Sequence, residues 1–189
     1  MADYDKYYLT KDLFGESYPE LIDFFRHYEP KGKLIDVGCG QGRNSISLAK
    51  LGYQITGIDQ SKVGIDQLNS IAKQEGLTIM AFVGDIYSFD QYHDFDIVLL
   101  DSMFHFEKRG IKQETDLIEK IAKLLSKNGL ICICIQDTGK KVEILKNSIA
   151  HSGIDYKILN DSSLIYTFED KESGHKSETK YCLYIVKKI

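Results

Sequence analysis

The stretch "LIDVGCGQGRNS", Leu34 to Ser45, runs from a short apolar segment through an aspartate into three glycines at alternate positions. Leu34, Ile35 and Val37 read as a short buried strand. Gly38, Gly40 and Gly42 suit a sharp turn whose backbone comes close to another group, because glycine alone lacks the Cβ that would block the approach. From Arg43, "RNSISLAKLG" spaces Ile46 and Ala49, and Leu48 and Leu51, three apart, which predicts a helix. A strand, a glycine turn and a helix start together form a ligand-binding element.

Working outward, short unbroken apolar runs recur at "KLIDV", "YQITGI", "TIMAFV", "FDIVLL" and "LICICI". Their lack of polar alternation predicts strands covered on both faces, as in a parallel sheet. Helical segments are expected between them, at Arg43 to Leu51, Lys62 to Glu75, about Lys112 to Leu125 and about Lys140 to His151. Ahead of the first strand, "YPELIDFFRHYE" puts Leu21, Phe24, Phe25 and Tyr28 on one helix face, ended by Pro30 and Gly32. From Ile154 onward the pattern changes. "SLIYTFED" and "KYCLYIVKK" are β-rich runs joined by the polar "KESGHKSET", which predicts an antiparallel hairpin at the sheet edge. The expected fold is α/β: a doubly wound, Rossmann-like, seven-stranded sheet, mostly parallel with a C-terminal antiparallel hairpin, in three α/β/α layers. Residues 1–189 are expected to form one domain, with 1–32 as a helical cap segment.

Composition narrows the function. The chain has 189 residues and a formal charge of −4, a balance that does not favour a nucleic-acid backbone. The opening "MADYDKYYLTKD" is polar and aromatic, unlike a secretory signal, and no apolar run reaches the roughly 18 residues of a membrane helix. Cys39, Cys132, Cys134 and Cys182 lie in apolar runs or in the glycine turn, so reduced thiols in a cytoplasmic protein are expected. Cys132 and Cys134 share one strand face, but two ligands with no second pair make a poor metal site, and no metal is expected.

Two cofactor classes use a glycine turn of this kind. Dinucleotide folds use G-x-G-x-x-G, whose third glycine allows close helix packing. Here the pattern is G-x-G-x-G, and Arg43 stands at that third position. The next strand ends in Asp59, about twenty residues on, where a carboxylate can accept both ribose hydroxyls of an adenosine. The competing role is an N-cap for the helix at Lys62, which Ser61 can supply instead. Asp85, in "FVGDIYSF", is placed to accept an adenine amine, with Ile86 against the ring. Asp101 and Ser102 end the fourth strand at the carboxyl edge of the sheet, where such folds bind ligands.

"LIDVGCGQGRNSISLAKLGYQITGIDQS" resembles motif I and the following acidic strand end of the class I S-adenosylmethionine-dependent methyltransferases. "GDIYSF" and "FDIVLLDSMFHF" sit where that family's later motifs do. "GCGQGRNSISLAKLGY" is also similar to the tellurite-resistance-type small-molecule methyltransferases. Those relatives carry a basic pair in the tail, whereas "LIYTFED" offers none. The resemblance implies S-adenosyl-L-methionine as cofactor and S-adenosyl-L-homocysteine as product. It implies that Gly38, Cys39, Gly40 and Gly42 face the methionine and ribose portions, and that Asp36 orients the turn and helps receive the amino group. Asn44 joins the cofactor set, Asp59 takes the ribose, and Gln60, Asp85 and Ile86 hold the adenine. Asp101, Ser102 and Met103 line the methyl-donor end.

His105 is the one histidine expected near the active edge, as a base or orienting group for an acceptor. The competing reading is a loop histidine packed between Phe104 and Phe106. His27, His93, His151 and His175 are expected to be structural or solvated. Tyr4, Tyr7, Tyr8 and Phe14 are expected to form a lid, against the alternative of a helix that merely covers the sheet. Lys6 and Lys11 in that segment are placed to meet an anionic acceptor. The leading reading is methyl transfer to a small molecule. A nicotinamide oxidoreductase on a Rossmann fold and a non-catalytic S-adenosylmethionine-binding module are the alternatives. No N-P-P-Y-type motif follows the fourth strand, which argues against adenine or glutamine N-methylation. Monomer and homodimer both stay open.

Overall fold

The structure, a computed structural model, describes residues 3–10, 13–169 and 176–189. A 3-10 helix at Asp3–Leu9 and a helix α1 at Pro19–His27 precede the sheet. Then β1 (Lys33–Val37), α2 (Arg43–Lys50), β2 (Gln54–Asp59), α3 (Lys62–Glu75), β3 (Ile79–Val83), β4 (Ile97–Asp101), α4 (Ile111–Leu124), β5 (Leu130–Gln136) and α5 (Lys141–His151) alternate. The long strands β6 (Tyr156–Glu169) and β7 (Lys176–Lys188) close the chain.

The sheet order is β3-β2-β1-β4-β5-β7-β6. The first five strands are parallel, and β7 runs antiparallel to both β5 and β6. The chain winds to one side of β1 with β2 and β3, then returns to its other side with β4. That reversal opens a crevice at the carboxyl ends of β1 and β4, the usual ligand position in an open α/β sheet.

The period-2 alternation of a strand splits each apolar run between two cores. Ile35, Val37, Val98, Leu100, Ile131 and Ile133 pack with Leu117, Ile118 and Ile121 of α4 and Leu145 and Ile149 of α5. Leu34, Ile97, Leu99, Cys132 and Cys134 face the other way, against Leu21 and Phe25 of α1 and Leu48 of α2. A smaller group of Cys39, Ile65, Leu68 and Ala81 seats α3 on the β2–β3 side. Ser61 caps α3 by accepting from Gly64 N at 3.2 Å, and Gly76 ends it in the left-handed conformation.

The hairpin strands are longer than the β-rich runs in the sequence suggest. β6 begins at Tyr156, and a bulge between Ile158 and Asn160 lets the polar "NDSS" stay in the ladder. An edge strand tolerates such residues because one side and one face meet water. Most of the joining loop, with His175, lies outside the described residues, as does Lys11.

Candidate active site

The glycine turn is pinned from the next strand. Gly38 N and Cys39 N both donate to Ile58 O, at 2.7 and 3.2 Å. Asp59 finishes the job: its Oδ2 accepts from Gly40 N at 2.8 Å and its Oδ1 from Ser61 N at 2.7 Å. One carboxylate therefore holds the turn after β1 and the start of α3 in register. Burial pushes the Asp59 pKa up, against the pull of these backbone donors.

All three glycines have positive φ, +74° at Gly38, +52° at Gly40 and +87° at Gly42. Their missing side chains serve different ends. The Met103 thioether lies where a Cβ on Gly38 would stand, and the Tyr8 hydroxyl lies where one on Gly40 would stand. Both are side chains that line the cavity. At Gly42 the occupant is Leu68, a fully buried residue of α3. Gly42 thus serves helix packing rather than ligand approach, and it does not line the cavity. Gly64 belongs with it: a Cβ there would stand 2.8 Å from Gly40 O.

The cavity encloses about 430 Å³ and opens at the carboxyl ends of β1, β2 and β4. Its walls include Asp36, Gly38, Cys39, Gly40, Asn44, Asp59, Gln60, Ile86, Asp101, Ser102, Met103 and His105. Among the cofactor-binding residues expected from sequence, Gly42 and Asp85 are the two that stay out. Asp85 is exposed and turned into its own loop, where it accepts from Tyr87 N at 3.0 Å and Ser88 Oγ at 2.6 Å. The hydroxyl of Ser88 holds its pKa below the usual carboxylate value. Tyr87 takes its place on the wall beside Ile86. His105 is exposed at the cavity edge, while its chain neighbours Phe104 and Phe106 are buried with their rings stacked on each other.

Deeper in, Asp36 is 3% exposed and accepts from Ser45 Oγ at 2.6 Å. Burial pushes its carboxyl up to about 7, the Ser45 hydroxyl opposing and the nearby Asp101 adding to the rise. Asp101 gathers three donors: the Arg43 guanidinium, Asn44 Nδ2 at 2.7 Å and Ser102 Oγ at 2.9 Å. Asn44 Oδ1 has no partner among the described residues. Leaving a buried acceptor unpaired costs roughly 1–3 kcal/mol, a cost usually tolerated where a ligand completes the set.

Arg43 does what the sequence did not signal. It stands where a dinucleotide turn has its third glycine, and its side chain reaches out of α2 into the cavity. Its guanidinium lies 4.8 Å from the Tyr18 ring centre and 5.7 Å from that of Tyr166. Nη1 donates to Phe14 O at 3.0 Å, and Tyr166 Oη donates to the same carbonyl at 3.2 Å. Tyr18, Tyr166 and Tyr181 pack ring against ring at 5.5–6.0 Å. An aromatic chamber thus forms from residues far apart in sequence. Alternation on β6 and β7 places Tyr166 and Tyr181 on one face, but nothing local says that this face meets a cavity.

The 3-10 helix Asp3–Leu9 packs against α3 and places Tyr4 and Tyr8 on the cavity wall. Ser61 Oγ donates to Asp5 Oδ1 at 2.6 Å, and Gln67 Nε2 donates to Tyr8 O at 2.8 Å. Gln41 ties the same segment to the glycine turn, donating to Thr10 O at 2.8 Å and accepting from Leu13 N at 3.1 Å. Tyr4, Tyr8 and Phe14 line the cavity, while Tyr7 is exposed and does not. Lys6 is likewise exposed and off the wall. No group of histidine, cysteine, aspartate or glutamate suited to a metal ion occurs among the described residues.

A bare glycine backbone at the switch point, a carboxylate on the following strand and an acidic wall define a class I S-adenosylmethionine-dependent methyltransferase site. Comparison with known proteins agrees. The family described as "Tellurite resistance protein TehB" matches residues 2–143, and the chain belongs to it. A probable S-adenosyl-L-methionine-dependent methyltransferase TehB from Haemophilus influenzae is 32% identical over 106 residues, 56% of this chain and 35% of that protein. A ubiquinone biosynthesis O-methyltransferase from Rickettsia conorii is 30% identical over 116 residues, 61% of this chain and 38% of that one. The crystal structure of TehB from Haemophilus influenzae superposes with a TM-score of 0.74 at 21% identity, covering 98% of this chain and 66% of that one. The chain thus spans little more than a third of the length of these two curated relatives. The site has features that suit the S-adenosylmethionine of the TehB relative's name: glycine backbone at Gly38 and Gly40 covered only by the side chains of Met103 and Tyr8, and the buried acceptor Asn44 Oδ1 without a donor among the described residues.

Proposed function

We propose that this chain transfers a methyl group from S-adenosylmethionine to a small-molecule acceptor. The observation that carries the reading is the cavity itself. Its glycine-and-carboxylate half suits the cofactor, and it continues without a break into a chamber formed by Phe14, Tyr18, Tyr166 and Tyr181. A nucleoside-sized ligand would take much of 430 Å³, a volume at the small end of ligand sites, which favours a small acceptor over a polymer. The net charge of −4 and the likeness to an O-methyltransferase of quinone biosynthesis support the same choice. Four unpaired, buried cysteines agree with a cytoplasmic setting. In this reading residues 1–189 act as one domain.

The cofactor supplies an activated methyl on a sulfonium, ready for in-line displacement. The chain's part is alignment and exclusion of water, which together can be worth ~7–11 kcal/mol. Asp59 would receive the ribose hydroxyls while keeping the turn closed. Ile86 and Tyr87 would flank the adenine, with Gln60 at its edge. Asp36, once ionised, would supply negative charge near the cationic centre, whereas the charge of Asp101 is offset by Arg43. His105 stands at the cavity edge as the candidate for taking a proton from an acceptor that arrives protonated.

The test is turnover of methyl-labelled S-adenosylmethionine against a panel of thiols, phenols, amines and carboxylates. Label in an extracted product is expected for one class. Tight S-adenosylhomocysteine binding with no product from any class would favour a binding module. Thermal protection by NADH but not by S-adenosylhomocysteine would favour an oxidoreductase.

A further inference from the structure

We infer that the methyl acceptor is an uncharged compound with a single aromatic ring, received against the rings of Tyr18, Tyr166 and Tyr181. The inference rests on the reading of this cavity as a methyl-transfer site. β5 ends at Gln136, opposite Tyr181. β6 and β7 go on pairing with each other beyond that point, from Ile165 opposite Lys180 to Glu169 opposite Lys176. The hairpin therefore projects past the carboxyl edge of the sheet, on the side of the crevice. Alternation gives this projection two unlike faces. Leu164, Tyr166, Thr179 and Tyr181 share one face and are buried or half-buried. Ile165, Thr167, Glu178 and Lys180 share the other and are exposed, with Lys180 paired to Asp137 at 2.8 Å. The four residues of the first face carry no charge, and two of them, Tyr166 and Tyr181, line the cavity.

The wall selects both shape and charge. Tyr166 stands edge-on to Tyr18 at 84°, and Tyr181 is tilted from Tyr18 by 41°. Rings so disposed receive another ring by edge-to-face or offset contact. Arg43 is the one arginine or lysine on the cavity wall among the described residues. Its charge is answered by Asp101, its Nη1 is spent on Phe14 O at 3.0 Å, and its guanidinium lies over the Tyr18 ring. A flat guanidinium held this way extends an aromatic wall. An anionic acceptor would instead meet the Asp101 carboxylate with no cation to spare. Transfer to an uncharged acceptor balances as follows. A lone pair on the acceptor's heteroatom forms the bond to the methyl carbon, and the carbon–sulfur bond breaks with its pair left on sulfur. The sulfonium becomes the neutral thioether of S-adenosylhomocysteine, and the acceptor's proton passes to His105 or water.

The experiment is a ligand-observed NMR titration of the full chain saturated with S-adenosylhomocysteine. Three probes of one outline are compared: p-cresol, its ring-saturated analogue 4-methylcyclohexanol and the anion p-toluenesulfonate. p-Cresol is expected to bind at least about fivefold more tightly than 4-methylcyclohexanol, which keeps the hydroxyl and the bulk but has no π face. It is expected to bind at least about tenfold more tightly than the sulfonate, whose charge would be desolvated without a partner. Tyr166→Leu is expected to cut the preference over the saturated alcohol by about half or more, and Tyr166→Phe to keep it. Equal binding of p-cresol and 4-methylcyclohexanol, tighter binding of the sulfonate, or an unchanged preference in Tyr166→Leu overturns the inference. So does a loaded chain that binds no p-cresol. If S-adenosylhomocysteine itself fails to bind, the cofactor reading falls, and the inference with it.

Discussion

Leu68 of α3 fills the space that a side chain on Gly42 of the glycine turn would need. The pair joins the helix after β2 to the turn after β1. The third glycine of the motif is therefore a packing residue, while the first two meet the cavity. Gly42→Ala is expected to destabilise the fold by about 1–3 kcal/mol through overpacking. The left-handed backbone adds roughly 1–2 kcal/mol. Leu68→Ala alone also costs stability, but the double variant should be less damaged than the sum of the two. Denaturant unfolding of the four proteins checks this, and strict additivity would show that the residues do not compete for space.

Asp59 carries two loads, the turn and the expected ribose contact. Asp59→Ala is expected to weaken S-adenosylhomocysteine binding at least tenfold, since charge-assisted hydrogen bonds are worth roughly 1.5–3 kcal/mol each. The circular dichroism of a folded chain should persist, with a lower melting temperature from the freed Gly40 and Ser61 amides. Unchanged affinity by calorimetry would remove Asp59 from the site.

The fold was legible from the unbroken apolar runs of a largely covered parallel sheet; the run at β3 departs from that expectation, because as an edge strand it leaves Met80, Phe82 and Val83 exposed. The glycine-and-aspartate wall of the cavity was legible because its residues are contiguous: Asp36, Gly38, Gly40 and Asn44 lie within nine residues. Asp85 shows the limit. It follows β3 as expected, but Ser88 Oγ and the Tyr87 amide take its carboxylate, so it bonds within its own loop and to Gln60 at the cavity wall instead of lining the cavity itself. The aromatic chamber was not legible, because Tyr18, Arg43, Tyr166 and Tyr181 meet only through the sheet order that brings β6 and β7 back beside β5.

Arg43 and Asp101 form an ion pair whose side chains are 15% and 6% exposed. Removing one partner from such a pair leaves a buried charge and costs about 3–5 kcal/mol. Arg43→Leu is expected to lose that much, and Arg43→Leu with Asp101→Leu to recover at least half of it. Equal stability of the single and double variants, by urea unfolding, would contradict a desolvated pair.

The carboxyl of Asp36 gives a signature in pH. Burial raises its pKa from 3.8 to about 7 in the folded chain. Between those values the folded state keeps a proton that the unfolded state has lost, so this group's contribution lowers stability as pH rises from about 4 to about 7. The difference in stability between Asp36→Asn and the unmodified chain should therefore grow in favour of the variant across that window and level off above it. A difference independent of pH would mean that Asp36 is ionised throughout.

A crystal structure grown with S-adenosylhomocysteine tests the central claim most directly. The account predicts ribose hydroxyls on Asp59, adenine between Ile86 and Tyr87, and the Met103 thioether lifted from Gly38. A crevice still filled by Met103 and Tyr8, with the ligand bound elsewhere or not at all, would contradict it.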